Sequence, residues 1–297
     1  MTPDIVGKIF ALSCALLWAF AVILFKKSGE SISPLGLNLF KSTVAALLFI
    51  PLLIIMGSPF IPAEVTAGDF LILIISGFIG ISLSDLLFFK ALNMLGAGLT
   101  AIVDCFYIPS VLILSYIFLG TPISLVEITG GIMVIVAILI ATLKIPDGKK
   151  SEKNIALGIF YGTTAMFIMG ISIILMKPVL DKTSILWVSE VRIIAGVIGL
   201  FLFLAFQRDR KTIVRSLLTV RNWKYAMPGS ILGNFIAMAL WVAAFKLTSV
   251  NSAAILNQLN TIFIVIMASL ILKEKFTIRR FAATILGFIG SIIILIF

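Results

Sequence analysis

The sequence of 297 residues contains no histidine, only two cysteines and few charged residues. Without histidine, the chain has neither histidine metal ligands nor a histidine proton relay. Cys14 and Cys105 both fall in apolar sequence and provide no disulfide framework. These absences exclude most hydrolase mechanisms. We therefore expect no catalytic residues, no cofactor and no metal site.

Charge is scarce because the chain is mostly apolar. Charged residues make up 12% and apolar residues 61% of the sequence, whereas about a quarter of an ordinary soluble chain is charged. The mean hydropathy is +1.22. A run of about 20 apolar residues crosses the roughly 30 Å hydrocarbon layer of a bilayer, and the sequence has many such runs with short connections. The composition predicts an all-α polytopic membrane protein embedded in a lipid bilayer.

Hydropathy and turn residues divide the chain into ten predicted spans. They cover residues 9–25, 35–56, 70–91, 99–118, 125–143, 155–176, 185–206, 225–245, 252–272 and 278–297. Residues 144–154 form the central polar linker. This linker separates a first five-helix repeat at 1–143 from a second at 155–297.

The net charge of +10 does not predict a nucleic-acid partner, because the basic residues lie mostly in connections and at helix ends. The connections after spans one, five, seven and nine carry most of them. These residues are Lys26, Lys27, Lys144, Lys149, Lys150, Lys153, Arg208, Arg210, Lys211, Arg215, Arg221, Lys224, Lys273, Lys275, Arg279 and Arg280. The positive-inside rule then places these connections in the cytoplasm and both termini outside.

The two halves align weakly at a common offset, with Gly80 on Gly233 and Asp104 on Asn257. An odd number of spans in each half forces the second half to enter the membrane upside down. Inverted repeats of this kind place a binding site at their interface near the bilayer midplane and let one half rock against the other. The pattern favours a transporter that works by alternating access.

Four candidate site residues lie in the first half. Lys41, Asp85 and Asp104 interrupt apolar sequence, and Tyr107 follows Asp104 on the same helical face. A charge at a span centre costs about 2.5–3.5 kcal/mol on insertion scales, so such groups usually face a cavity or each other. Asp85 is either half of a structural ion pair with a lysine or a functional group. Asp104 either binds a coupling proton or neutralises a lysine.

The second half contributes Arg192 and the amide group of residues Asn257, Gln258 and Asn260. A guanidinium suits a carboxylate or phosphate of a substrate. The polar amides form a stripe on the ninth span. Such a stripe either holds helices together or lines a cavity.

The stretch LILKEKFTIRRFAATILGFIGSIIIL at 270–295, the five-plus-five arrangement and the Pro-bearing fourth span resemble the EamA-type transporters of the drug/metabolite transporter superfamily. Glu274, Gly287 and Gly290 match the family's Leu-x-Glu and its Gly-containing final helix, although Thr121 replaces the glutamate in the first half. The resemblance implies transport, more often export than import. It also implies cytoplasmic termini, opposite to the charge bias.

These observations together predict a secondary transporter in the plasma membrane that exports a small polar metabolite such as an amino acid, and not an enzyme. Coupling to a proton or another cation, or exchange, would supply the energy, because the sequence has no nucleotide-binding loop. We expect a monomer or a homodimer. The alternative is an integral-membrane enzyme or flippase that acts on a lipid-linked substrate.

Overall fold

The computed structural model of the protein describes residues 2–57, 59, 61–119, 124–142, 152–248, 253, 256–274 and 277–296. Over this described part the chain is helical and forms no strand. The helices are α1 (Pro3–Ser28), α2 (Pro34–Ile55), α3 (Ala67–Leu95), α4 (Ala97–Asp104 and Tyr107–Leu119), α5 (Leu125–Thr142), α6 (Glu152–Lys182), α7 (Ile185–Ala205), α8 (Arg210–Leu218), α9 (Val220–Leu247), α10 (Leu256–Leu272) and α11 (Ile278–Ile296).

The predicted polytopic membrane architecture is confirmed. In the described part of the chain seven helices, α1, α2, α3, α4, α6, α7 and α9, are long and apolar enough to cross a membrane. Shorter apolar stretches at 128–141 and 256–272 lie in α5 and α10, and α11 covers most of the last predicted span. The count of ten spans stays a prediction.

Side-chain caps determine where several helices begin. The Ser33 hydroxyl accepts a hydrogen bond from Gly36 N at 3.2 Å at the start of α2. At the start of α3, Thr66 and Asp69 form a capping box in which each side chain accepts from the other's backbone N–H. At the start of α7, the Ser184 hydroxyl accepts a hydrogen bond from Trp187 N at 3.1 Å. These polar residues satisfy backbone groups at the helix ends, where no intrahelical partner exists.

Two membrane helices contain π-helical turns that hydropathy alone does not reveal. In α3 the π segment covers Phe78–Ser84, and in α9 it covers Ser230–Ala237. The two segments stand at corresponding places of the aligned halves. A π turn inserts an extra residue and redirects the side chains that follow, which is why such turns often occur at functional sites. Asp85 follows the first segment directly, and Asn234 lies within the second.

The helices of the two halves interleave. If α1, α2, α3, α4 and α5 are matched in order with α6, α7, α9, α10 and α11, the packing pattern is preserved when the halves are exchanged. Thus α1 packs on α9 and α10, and α6 packs on α3 and α4. The pairs α2–α7, α4–α10 and α5–α11 join matched helices directly. Side chains from both halves therefore meet at the centre of the molecule.

Glycines bring α3 into close contact with α6 and α7. A Cβ atom at Gly77 would overlap the backbone of Arg192, and one at Gly80 would overlap the side chain of Ser172. Small residues at such positions allow helix backbones to approach closely within lipid. This approach places Arg192 beside α3 and α6 at the centre of the bundle.

Candidate functional site

A cavity of about 140 Å³ lies at the interface of the two halves. Its lining comes from α1, α3, α4, α6, α7, α9 and α10. Seven of the eight candidate residues from the sequence line it: Asp85, Asp104, Tyr107, Arg192, Asn257, Gln258 and Asn260. Asp85 of α3 and Asp104 of α4 thus border the same cavity.

The eighth candidate, Lys41, lies behind the cavity wall. Its side chain is fully buried and its Nζ lies 2.7 Å from Asp85 Oδ2. The same ammonium donates a hydrogen bond to Asn234 Oδ1 at 2.8 Å and lies 5.5 Å from the ring centroid of Phe89. Lys41 therefore balances the charge of Asp85, which supports the ion-pair reading of that carboxylate.

Asp104 stands at an interruption of α4. The helix ends at Asp104 and resumes at Tyr107, and between them Cys105 N and Phe106 N bond to the carbonyl groups three residues earlier. Pro109, which lacks a backbone N–H, favours this break because it leaves the carbonyl of Cys105 without the usual donor. Within the described residues the Asp104 carboxylate has neither a hydrogen bond nor a salt bridge. It therefore borders the cavity as an acid without an ionic partner among these residues.

Arg192 is the positive counterpart of Asp104. Only 1% of the residue is exposed, yet no carboxylate of the described part lies within salt-bridge distance of its guanidinium. Nη1 donates to Met176 Sδ at 2.8 Å and Nη2 to Ser172 Oγ at 2.9 Å, so the group is held by neutral acceptors. Nε has no hydrogen-bond partner among the described residues. A buried guanidinium without a salt bridge is costly, and an anionic ligand in the cavity would offset that cost.

The amide stripe of α10 plays both roles that the sequence left open. Gln258 Nε2 donates to Thr261 Oγ1 at 2.9 Å and contacts Cys105 Sγ at 3.5 Å, so it joins α10 to α4. Asn257 Oδ1 is buried without a hydrogen-bond partner in the described residues. Gln258 therefore holds helices together, whereas Asn257 presents a free acceptor at the cavity.

The lining also includes residues that were not among the candidates, notably an amide and two tryptophans. Asn234 supports Lys41, and its Nδ2 is buried without a partner among the described residues. Trp18 and Trp241 also line the cavity. In the sequence, Asn234 stands out only as a single amide within an apolar span, and this could have marked it as a candidate site residue. For the two tryptophans, sequence position does not distinguish a cavity wall from ordinary core.

Two other charged residues lie away from this arrangement. Glu190 is 4% exposed and does not line the cavity, and neither of its carboxylate oxygens has a hydrogen-bond partner in the described part of the chain. Lys90 lies over the ring of Tyr161, with Nζ 5.3 Å from the ring centroid. Lys90 therefore does not share in the Lys41–Asp85 ion pair.

Two apolar clusters pack against α1 before and after its cavity-lining residues. Along α1, Ala11 precedes the lining residues Cys14 and Trp18, and Phe25 follows them. Ala11 belongs to a cluster with Trp187 and several residues of α6 and α9. Phe25 belongs to a separate cluster with residues of α3, α4 and α10.

Comparison with known proteins agrees with this architecture. The sequence model of the EamA-like transporter family matches residues 5–143 and 156–296. A protein of Archaeoglobus fulgidus named as an uncharacterized transporter is 23% identical over 290 residues, which cover 97% of each chain. A crystal structure described only as that of a protein superimposes with a TM-score of 0.70 at 12% identity, over 98% of this chain and 96% of the other. The last similarity concerns the fold alone.

Proposed function

Because the chain belongs to the EamA-like transporter family, we propose that it is a secondary transporter that exports a small zwitterionic metabolite, such as an amino acid, by alternating access. Membership of this family makes the protein a membrane transporter with a small-molecule substrate. The substrate class, the coupling and the direction are the proposal.

One observation carries the substrate class. The cavity presents an acid, Asp104, and a guanidinium, Arg192, that form no salt bridge among the described residues, while Lys41 and Asp85 pair with each other. A zwitterion supplies an ammonium group for Asp104 and a carboxylate for Arg192, and so removes both unpaired charges at once. The aromatic rings of Trp18 and Trp241 offer apolar contact for the remainder of the substrate.

Alternating access is supported by the arrangement of the helices. The packing pattern survives exchange of the halves, and the family model matches the chain in two segments of similar length. We therefore propose ten spans in two inverted five-helix repeats, at 1–143 and 155–297, joined by the linker 144–154. In such a design the site stays in place while one half rocks against the other and opens either side.

We further propose that Asp104 binds the coupling proton and that the protein resides in the plasma membrane. The carboxylate of Asp104 is the lining acid without a cationic partner in the described residues, so a proton or an ammonium group competes for it. The positive-inside rule favours placing the basic connections in the cytoplasm, which puts both termini outside. Family habit places the termini inside, and a topology experiment decides between the two.

Ligand binding followed by flux measurement tests the proposal. Purified protein is screened by thermal shift against amino acids, sugars, nucleosides and organic cations, since a ligand that binds the folded state raises the melting temperature. The expected hits are amino acids, and the amide of a hit, which lacks the carboxylate, serves as the matched control. The hit is then tested as a radiolabelled substrate in proteoliposomes with an imposed pH gradient.

Two outcomes would contradict the proposal. If only sugars or organic cations bind, the zwitterionic substrate class is wrong. If a hit binds but does not move in proteoliposomes relative to protein-free liposomes, transport of that ligand is wrong. An enzyme or flippase would instead convert or reorient a lipid-linked compound in the same vesicles.

A further inference from the structure

A second groove lies far from the central cavity, between α7 and the short helix α8. It has a volume of about 580 Å³, which is within the usual range of about 300–1,000 Å³ for ligand sites. Its lining consists of Phe201, Leu204, Ala205, Arg210, Lys211, Val214, Arg215 and Leu218. The floor is thus apolar, and three cationic residues border it.

The helix that forms one wall of this groove is firmly attached to the bundle. Ile213 of α8 is 5% exposed and packs among apolar residues of α2 and α7. At the other end of the helix, Trp223 Nε1 donates to Leu217 O at 2.7 Å and Asn222 Nδ2 to Ser216 O at 2.8 Å. The groove is therefore a fixed feature of the fold.

The cations at the groove have no acidic partner. Arg210 Nη1 donates to the carbonyl of Ala205 at 3.3 Å. Among the described residues no carboxylate forms a salt bridge with Arg210, Lys211 or Arg215. The segment 206–224 contains six Lys or Arg residues and a single acid, Asp209. The site therefore favours a ligand with negative charge.

The apolar floor is exposed rather than covered. Phe201 is 52% exposed and Leu218 72% exposed. The floor continues along α7 into an exposed apolar face at Ile198 and Leu202, the kind of surface that contacts acyl chains. A soluble anion would use the cations but leave this floor uncovered. A molecule with both a phosphate and an acyl chain would cover both parts.

We propose that this groove binds an anionic phospholipid. Its phosphate contacts Arg210, Lys211 and Arg215, and one acyl chain lies along Phe201, Leu204 and Leu218. Membrane-surface helices with cationic and apolar faces bind anionic lipid by adding electrostatic attraction to apolar burial. The site is separate from the transport cavity, so the inference does not depend on the proposed substrate.

The test compares two triple variants of the full-length protein in detergent. The groove variant combines Arg210→Gln, Lys211→Gln and Arg215→Gln. The matched control combines Arg208→Gln, Arg221→Gln and Lys224→Gln, which removes the same charge from exposed positions outside the groove. All six side chains are exposed, so both variants are expected to fold.

Binding of phosphatidylglycerol is measured by native mass spectrometry and by its effect on the melting temperature. The wild-type protein and the control variant are expected to bind it with similar affinity, and the groove variant about 100-fold more weakly. Phosphatidylcholine and glycerol 3-phosphate serve as the zwitterionic-lipid and free-phosphate probes. Both should bind weakly to all three proteins.

Several results would overturn the inference. Equal loss of phosphatidylglycerol binding in the two triple variants would indicate attraction to overall charge and no defined site. Equal binding of phosphatidylcholine would indicate apolar adsorption. Strong binding of glycerol 3-phosphate that the groove substitutions abolish would indicate a soluble anion as the ligand.

Discussion

The charged side chains at the centre of the protein fall into two groups. Lys41 and Asp85 form a short ion pair that Asn234 completes. Asp104 and Arg192 border the same cavity without ionic partners among the described residues. The first group is internally balanced and stabilises the fold, whereas the second is available to a ligand.

Breaking the balanced group should destabilise the protein. Lys41→Met leaves Asp85 without its cation, and loss of one partner of a buried pair costs about 3–5 kcal/mol. The double variant Lys41→Met/Asp85→Asn should recover much of that loss because no charge is left unpaired. Equilibrium unfolding in detergent measures both effects. The control is Lys8→Met, which breaks the exposed pair with Asp4 and should cost less than about 1 kcal/mol. An equal loss of stability in Lys8→Met and Lys41→Met would show that the buried ion pair does not stabilise the fold more than the exposed one.

Asp104→Asn tests the coupling role. The amide has nearly the same shape but binds no proton, so the protein should fold normally and lose transport driven by a pH gradient. Exchange of substrate between equal pools should persist at raised substrate concentration, because the amide oxygen still accepts a hydrogen bond from the substrate ammonium although it lacks the charge. Proteoliposome flux with and without the gradient makes the distinction. The control is Asp209→Asn, at an exposed acid in the α7–α8 connection, which should behave as wild type. Unchanged gradient dependence in Asp104→Asn would exclude Asp104 as the proton site.

Arg192→Gln tests substrate recognition. Hydrogen bonds to a charged group contribute about 1.5–3 kcal/mol, so binding of a carboxylate-bearing substrate should weaken by about 10- to 100-fold. Arg192→Lys keeps the charge but loses the planar fork of the guanidinium. Its affinity for the substrate should therefore fall between those of the wild type and Arg192→Gln. Dissociation constants for a substrate and for its neutral amide give the readout. Equal weakening of the two ligands would make Arg192 a purely structural residue.

At the scale of elements, the start of α4 depends on a residue from the other half of the chain. The Glu274 carboxylate accepts hydrogen bonds from Ala97 N at 2.8 Å and from Gly98 N at 3.0 Å. Gly96, at φ +89°, makes the turn before them, and a Cβ there would lie 2.8 Å from Glu274 Oε1. The motif that matched the family's Leu-x-Glu is therefore a helix cap. Its counterpart position Thr121 lies outside the described residues.

Glu274→Ala should lower stability by about 1–2 kcal/mol, because two backbone donors lose their acceptor and the helix end loses a favourable negative charge. Glu274→Gln, which keeps one acceptor oxygen, should lose less. Thermal unfolding of both variants gives the comparison. Glu30→Ala, at an exposed acid in the α1–α2 connection, is the control. A Glu274→Ala protein as stable as this control would show that the cap contributes nothing.

At the scale of the whole molecule, helices of one half pack mainly against helices of the other. The contacts of α1 with α9 and α10, and of α6 with α3 and α4, cross the boundary between halves. The central cavity is bounded by such crossings, so the rocking of one half against the other that we propose would change access to it. This interleaving also explains why α4 is capped from the loop after α10.

The orientation of the whole molecule is open to a direct test. The basic connections predict that both termini are outside. Carboxyl-terminal fusions to alkaline phosphatase and to green fluorescent protein report opposite locations, since the first is active outside the cytoplasm and the second fluoresces inside. An active phosphatase and a dark fluorescent fusion are expected. The reverse pair of results would establish cytoplasmic termini, as family habit implies.

Much of the architecture follows from the sequence, because lipid imposes a simple rule. Backbone groups in hydrocarbon must be satisfied within the segment, so long apolar runs become helices. The predicted spans therefore coincide with helices wherever the structure describes them, and seven of the eight candidate residues line one cavity. Polar residues in apolar runs are costly, and most of those in this chain lie at the central cavity, although Glu190 does not.

The tertiary structure decided what each of these polar groups does. Lys41 and Asp104 look alike in sequence, as single charges in apolar spans, yet the first is paired behind the wall and the second faces the cavity unpaired. The difference depends on how each helix is rotated, and the π turns in α3 and α9, which each insert an extra residue, and the break in α4 change that rotation. Hydropathy cannot resolve such rotations, because it records how apolar a segment is and not which neighbour each side chain meets.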